Sequence, residues 1–221
     1  GYKKEFIYET ECLAGAEFGV YAEEDIYTAD FQKDGDGKRI LEYASGTLVE
    51  TLVTDEDGKA FLGNLPLGTY KVIETKAPEG YVRNEAAQII TFDYADQDTP
   101  VIEQTAIFEN ERQKVEIAAV KKDADNGAVL EGAVFGLYTK TDIIAKEEVI
   151  VKADTLLEEA VTQEDGRAVF ETDVPFGEYY IREQKAPEGY VSCDDAMEAA
   201  ASYQGQDVKA AEFTSEFENK P

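Results

Sequence analysis

Apolar and polar residues alternate along several short segments, with the two-residue period of half-buried β-strands. The clearest examples are Tyr70-Lys-Val-Ile-Glu74 and Tyr179-Tyr-Ile-Arg-Glu183. Pro and Gly stand just ahead of them, in Leu65-Pro-Leu-Gly68 and Val174-Pro-Phe-Gly177, where turns launch strands. Many short strands separated by regular turn signals predict an all-β protein built from β-sandwiches.

Three sequence blocks occur twice, in the same order, so the chain is one domain written twice. The paired blocks are 13–21 with 130–138, 74–82 with 183–191, and 107–110 with 216–219. We therefore predict two tandem sandwich domains, at 1–112 and 113–221. At 221 residues, each has about 110, which is an ordinary domain size.

The spacing of the blocks shows where the copies differ. Lys4 and Lys121 are 117 positions apart, whereas Glu74 and Glu183 are 109 apart, so the first copy is longer by eight residues between these points. We interpret 23–45 as an inserted loop or an extra hairpin. Helical periodicity is weak, and we expect short helices or turns only within 141–162 and 193–201.

The charge of −27 excludes nucleic-acid binding, which depends on Lys and Arg, and disfavours anionic membrane surfaces. The simplest interpretation of this negative charge is a solvated, self-repelling surface. A more specific alternative is that the acidic side chains bind Ca²⁺. Asp34-Gly-Asp-Gly-Lys38 has some features of a calcium loop, but it lacks further acidic ligands at the expected spacing and fits a simple turn better. We predict no metal site and no cofactor.

Histidine is absent, which removes the commonest general base and every Ser-His or Cys-His arrangement. Paired carboxylates are too abundant to single any out, so we predict no enzymatic turnover. Cys12 and Cys193 occupy unmatched places in the two copies, so they form no repeated disulfide framework. A bridge between them stays open as an alternative.

Strand parity points to three polar side chains in the second copy, because residues two apart share a face. Lys121 continues the apolar row of the first strand. On the middle strand, Glu183 shares a face with Ile181. On the last strand, Asn219 shares a face with Phe217. The same parity in the first copy selects the residues Lys4, Glu74 and Asn110.

Burying such groups costs several kcal/mol unless they are paired or neutralised. A non-covalent Lys–Glu pair beside an amide is one solution. The other is chemical, because burial lowers the pKa of an amine and raises that of a carboxylic acid. A neutral amine can attack an amide carbon while the acid shuttles protons. Ammonia leaves, and a Lys–Asn isopeptide bond remains.

The ordered motifs Lys, Leu-x-Gly-Ala-x-Phe, Leu-Pro-x-Gly-x-Tyr-x-x-x-Glu-x-x-Ala-Pro-x-Gly-Tyr and Phe-x-Asn resemble the B-type repeat of collagen adhesins, also called the SpaA-like or Cna-B domain. The resemblance covers nearly the whole chain, twice. It implies prealbumin-like, Ig-like Greek-key sandwiches from Gram-positive surface proteins and pilins, with spontaneous isopeptide bonds promoted by a middle-strand acid. The implied bonds are Lys4–Asn110 with Glu74 and Lys121–Asn219 with Glu183.

The second copy fits the family pattern more closely, because Lys121-Lys-Asp123 keeps its Lys-x-Asp start. The first copy has Lys4-Glu-Phe6, with Lys3 as a competing neighbour. Either bond would close about 100 residues into a loop, which by analogy with other cross-links stabilises by on the order of 4–5 kcal/mol. Tension applied at the termini would pass through the bond.

We therefore predict a structural stalk segment of an extracellular, cell-wall-anchored adhesin or pilus-like protein, joined to neighbouring domains. Its leader and wall anchor would lie outside these residues, with no membrane insertion within them. An alternative is a direct adhesive module, binding host matrix or a glycan through 23–45 or 141–162. A third is a sortase-polymerised pilin subunit.

Overall fold

The computed structural model describes residues 2–221, which separate into two compact units. The first-copy unit comprises Thr10–Arg112 with Gly205–Asp207. The second-copy unit comprises Gln113–Gln204 and Val208–Pro221, together with residues 2–9. Along the chain the division between the units falls between Arg112 and Gln113, and residues 2–9 group with the second-copy unit.

The first-copy unit is built on one four-stranded antiparallel sheet in the order β4-β1-β5-β6. A hairpin of β2 and β3 occupies the predicted insertion at 23–45. The strands are β1 Glu17–Ala22, β2 Ile26–Tyr27, β3 Leu41–Tyr43, β4 Leu48–Val53, β5 Gly68–Lys76 and β6 Gln88–Phe92. Their buried apolar cluster is small, with Val20, Ala22, Ile26 and Tyr70 at its centre.

The second-copy unit is a complete two-sheet sandwich, with sheets in the orders β11-β8-β13-β14 and β12-β7-β15. A separate hairpin joins β9 to β10. The strands are β7 Lys114–Asp123, β8 Val134–Thr139, β9 Ile143–Ala145, β10 Glu148–Val151, β11 Leu156–Val161, β12 Arg167–Phe170, β13 Gly177–Lys185, β14 Ala196–Ala201 and β15 Ala210–Asn219. Seventeen buried apolar residues form its core.

The first and last strands of this sandwich, β7 and β15, pair in parallel over ten residues, from Lys114 opposite Ala210 to Asp123 opposite Asn219. Burial alternates along both strands as the strand pattern predicts. Phe217 stands opposite Lys121 and packs on Phe135 of the facing sheet, with ring centroids 4.7 Å apart.

The all-β prediction is confirmed, and the expectation of short helices is wrong, since no helix occurs in residues 2–221. The 141–162 segment forms β9, β10 and part of β11. Within 193–201, residues Ala196–Ala201 form β14 against β13. Alanine favours helices, but the exposed edge of β13 offers a full ladder of backbone hydrogen bonds, and that pairing outweighs local propensity.

Residues 2–9 lie along the edge of β11. The Lys4 amide donates to the Leu157 carbonyl at 2.8 Å, and the Glu159 amide donates to the Tyr2 carbonyl at 3.1 Å. Phe6 packs against the second-copy core. The strand predicted for the first copy around Lys4 is therefore not part of the first-copy unit, because the backbone of this segment is held by β11.

Candidate functional site

Lys121, Glu183 and Asn219 meet inside the second-copy unit, each carried by a different strand. β7 supplies the lysine, β13 the glutamate and β15 the asparagine. The Lys121 and Glu183 side chains are fully excluded from solvent, and Asn219 is only 2% exposed. The two-residue strand period puts all three at the end of inward-facing rows, where the apolar core of the sandwich stops.

The three side chains contact one another directly. Lys121 Nζ lies 3.0 Å from Glu183 Oε1 and donates to Asn219 Oδ1. Asn219 Nδ2 donates to the Glu183 carboxylate, at 2.9 Å from Oε1 and 3.2 Å from Oε2. Glu183 Oε1 therefore contacts both the amine nitrogen and the amide nitrogen.

Aromatic rings enclose this cluster. Lys121 Nζ stands 5.8 Å from the ring centroids of both Phe135 and Phe217, each of which is fully buried. Such apolar walls exclude water, which strengthens every electrostatic contact between the three polar groups.

Two further contacts position the acid, and neither was predicted from the sequence. The Cys193 amide donates to Glu183 Oε2 at 2.7 Å. Tyr190 donates to Asp123 Oδ2 at 2.8 Å, which ties the turn after β13 to the end of β7. A backbone donor has no side-chain signature, and the Lys-x-Asp spacing that includes Asp123 did not name Tyr190 as its partner.

The first-copy unit holds two of its three predicted residues together. Asn110 Nδ2 donates to Glu74 Oε2 at 2.8 Å, and the Asn84 amide donates to the same oxygen at 2.5 Å. Asn84 follows Glu74 by ten positions, as Cys193 follows Glu183. Among the described residues, Glu74 Oε1 is buried without any hydrogen-bond partner.

Lys4 does not join this pair. Its amide and carbonyl are both engaged within the second-copy unit, the carbonyl accepting from Thr172 Oγ1 at 3.1 Å, and its Nζ lies 5.7 Å from the Phe6 ring centroid. Lys3, the competing neighbour, forms a 3.0 Å ion pair with Glu171. The structure therefore brings together Glu74 and Asn110, and leaves Lys4 apart.

The weaker sequence signals take ordinary structural roles. Asp34 Oδ1 accepts the amides of Asp36 and Lys38 at 2.9 Å, which closes a turn. Within the described chain, no cluster of three or more Cys, Asp or Glu residues has the geometry to hold a metal ion. Cys12 and Cys193 are both free thiols. Residues 2–221 contain no helix that is long and apolar enough to cross a membrane.

The two-sheet sandwich of the second copy, and in both copies a sheet glutamate that contacts an asparagine near the end of the copy, define a class of prealbumin-like β-sandwich domain. The family model described as SpaA, prealbumin-like fold domain, matches residues 2–106 and 115–214. The chain therefore belongs to the SpaA family of prealbumin-like domains, twice over, and the fold expected from the resemblance is confirmed.

Among solved structures, the TIE protein of Bacillus anthracis is 25% identical, with a TM-score of 0.57 over 95% of this chain. This chain spans 31% of the TIE chain. A variant of the shaft pilin SpaA from Lactobacillus rhamnosus GG is 18% identical, with a TM-score of 0.35, covering 97% of this chain and 94% of that one. GBS52, the minor pilin of Streptococcus agalactiae, is 18% identical, with a TM-score of 0.35, covering 96% and 85%. No curated protein matches the chain.

Proposed function

We propose that the chain is a structural stalk or spacer segment of a Gram-positive, extracellular, cell-wall-anchored adhesin or pilus-like protein. In this proposal the second-copy unit is locked by an autocatalytic isopeptide bond between Lys121 and Asn219. The observation that carries it is the buried contact of amine, acid and amide on three strands. Membership of the SpaA family supports the surface setting.

The proposed reaction is an amine-for-ammonia exchange. The unprotonated Lys121 Nζ attacks Asn219 Cγ, and a C–N bond forms. The Cγ–Nδ2 bond breaks, and Nδ2 leaves as ammonia. Glu183 Oε1 lies against both nitrogens, at 3.0 Å and 2.9 Å, so it can receive the proton that Nζ loses and deliver it to Nδ2. The reaction occurs once per molecule, which fits a structural protein and needs no cofactor.

Intact mass of the denatured protein tests this function. We expect a deficit of one ammonia for the second copy, and a digest containing a branched Lys121–Asn219 peptide. The Glu183→Ala variant should regain that mass. Its matched control is Glu74→Ala, the same change in the other copy, which should keep the Lys121–Asn219 link. A full-mass wild type, with both peptides unlinked, would refute the cross-link.

The Lys4–Asn110 bond stays a prediction. Glu74 and Asn110 already contact each other, which favours it, but residues 2–9 would have to leave β11 before Lys4 could take part. The same digest tests it, since a branched Lys4–Asn110 peptide would accompany a second ammonia deficit.

Direct adhesion is the second candidate function, and one feature of the 23–45 insertion favours it. The Arg39 guanidinium stacks on Tyr27 at 4.7 Å and on Phe31 at 5.3 Å from the ring centroids, and Phe31 is 65% exposed. Exposed aromatic and Arg side chains are common at binding surfaces. Binding to host-matrix and glycan arrays that disappears in Phe31→Ala would support this function, and unchanged binding would remove the insertion from it.

A further inference from the structure

The first-copy unit lacks the second sheet that its partner copy has. In the second-copy unit, β7 lies between β12 and β15. The counterparts of these outer strands in the first-copy unit, residues 59–62 and 101–110, form no strand. Even so, Phe108 packs on Phe18 with ring centroids 4.8 Å apart, as Phe217 packs on Phe135. The segment that contains Phe108 therefore packs against the four-stranded sheet without pairing with a neighbouring strand.

Burial shows that the place of the central strand is uncovered. The turns Asp57-Gly58 and Asp165-Gly166 align the two copies, so Ala60 is the counterpart of Ala168. Ala168, opposite β7, is 1% exposed, whereas Ala60 is exposed. Asn110 is likewise only half-buried, whereas its counterpart Asn219 is buried.

Glu74 Oε1 identifies the chemical group that belongs in this place. Glu74 is fully buried, and this oxygen has no hydrogen-bond partner among the described residues. In the second-copy unit, the matching oxygen, Glu183 Oε1, lies 3.0 Å from Lys121 Nζ. A buried carboxylate oxygen without a partner is costly, and an amine on a covering strand would remove that cost.

We propose that the first-copy unit is a strand acceptor, which takes an extended, lysine-bearing segment from another polypeptide and joins that lysine covalently to Asn110. Residues 2–9 cannot supply the lysine while β11 holds their backbone. The partner is defined by its chemistry: apolar side chains at alternate positions, to cover the sheet, and a primary amine that reaches Glu74 Oε1. The proposal rests on the isopeptide chemistry of the proposed function.

The joining step is balanced like the intramolecular one. The incoming Nζ forms a bond to Asn110 Cγ, and the Cγ–Nδ2 bond breaks. Glu74 takes a proton from the incoming amine and transfers it to Nδ2, which leaves as ammonia. Asn110 Nδ2 already lies 2.8 Å from Glu74 Oε2, so the leaving group and the acid are in contact before the strand arrives.

A synthetic peptide with the sequence of β7, residues 114–123, is the probe, because this sequence fits between two such strands in the second-copy unit. Incubated with the whole chain, it should add its own mass less one ammonia, at Asn110. The control peptide carries alanine at the position of Lys121 and should add nothing. The Asn110→Ala and Glu74→Gln variants should lose the adduct, while their Lys121–Asn219 link remains as an internal control.

The outcomes separate the two proposals. A Lys121–Asn219 link without a peptide adduct overturns the strand acceptor and leaves the proposed function standing. A Lys4–Asn110 link in the untreated protein also overturns it, since the chain's own residues then fill the place. An adduct at Asn110 supports it, whether or not the second copy is linked. The absence of both the Lys121–Asn219 link and the peptide adduct refutes both proposals.

Discussion

Tyr190 donates its phenolic hydrogen to Asp123 across 2.8 Å, and through this contact the turn after β13 is fixed to the end of β7. Asp123 lies two residues beyond Lys121, on the same face of β7. From Tyr190 the chain continues for three residues to Cys193, whose amide holds Glu183. This hydrogen bond therefore ties the segment that holds the acid to the strand that carries the amine.

The Asp123–Tyr190 pair predicts a pH-dependent stability. The hydrogen bond from Tyr190 holds the pKa of Asp123 below its usual range, and the same bond raises the pKa of Tyr190. The stabilisation is therefore complete above the unfolded carboxyl pKa and lost as pH falls through the lower folded value. At the alkaline end it is lost as pH rises through the raised pKa of Tyr190. Tyr190→Phe should lower the urea midpoint at neutral pH and match wild type at both extremes.

A matched control for Tyr190→Phe is Tyr180→Phe, which removes a longer hydrogen bond, 3.3 Å from Asp154, on the same strand as Glu183. We expect Tyr190→Phe to slow the Lys121–Asn219 cross-link in freshly refolded protein, and Tyr180→Phe to leave its rate unchanged. Equal rates in the two variants would show that the Asp123–Tyr190 bond has no part in positioning the acid.

Removing Lys121 alone should destabilise the second-copy unit strongly. Lys121→Met leaves the Glu183 carboxyl group buried without the nitrogen that it contacts, and removing one partner of a buried pair typically costs about 3–5 kcal/mol. The double variant Lys121→Met with Glu183→Gln removes the charge as well, so it should recover part of that loss. Neither variant can form the cross-link, which makes their urea unfolding free energies directly comparable. A double variant no more stable than the single one would contradict the charge argument.

The aromatic wall of the site should be more sensitive than exposed aromatic residues elsewhere. Phe217 is fully buried against Phe135, so Phe217→Ala should cost about 3–5 kcal/mol of unfolding free energy. Phe61 is 83% exposed, and Phe61→Ala should stay within about 0.5 kcal/mol of wild type. Urea denaturation of both variants measures the difference. Similar losses would mean that Phe61 is covered in solution.

The turn between β11 and β12 offers a backbone test. Gly166 has φ +75°, and a Cβ there would lie 2.6 Å from Val129 Cβ and 3.0 Å from the Lys121 carbonyl oxygen. Gly189 has φ +86° with open space around it. Gly189→Ala should therefore show only the left-handed backbone cost, about 1–2 kcal/mol. Gly166→Ala should cost clearly more. Thermal denaturation of both variants decides this, and equal melting temperatures would contradict it.

The internal repeat and the two-residue strand period together selected Lys121, Glu183 and Asn219 from the sequence. Each ends an apolar row, and the side on which a strand residue points depends only on its parity. The Cys193 amide could not be found in this way, because it acts through the backbone. The same spacing after Glu74 places an asparagine there, so no side-chain type marks the position.

The environment of Lys4 could not be predicted either. Lys4 shares a strand face with Tyr2 and Phe6, as a residue of a first strand would, but this parity does not say which sheet edge the segment joins. Backbone hydrogen bonds to β11 determine the edge that this segment joins. Every residue except proline offers the same backbone donor and acceptor, so the sequence does not mark that edge. Similarly, Ala196–Ala201 became a strand because β13 presented an unpaired edge, which no local pattern shows.

The parallel pairing of β7 and β15 determines how the second-copy unit would respond to stretching. A pull on the Lys114 end of β7 and the Asn219 end of β15 acts at opposite ends of the pair, so the ten-residue ladder is sheared and its hydrogen bonds resist together. Because the two strands run parallel, this pull does not peel them apart, which would break the hydrogen bonds one at a time. With Lys121 joined to Asn219, the residues between them become hidden length that stretching cannot release.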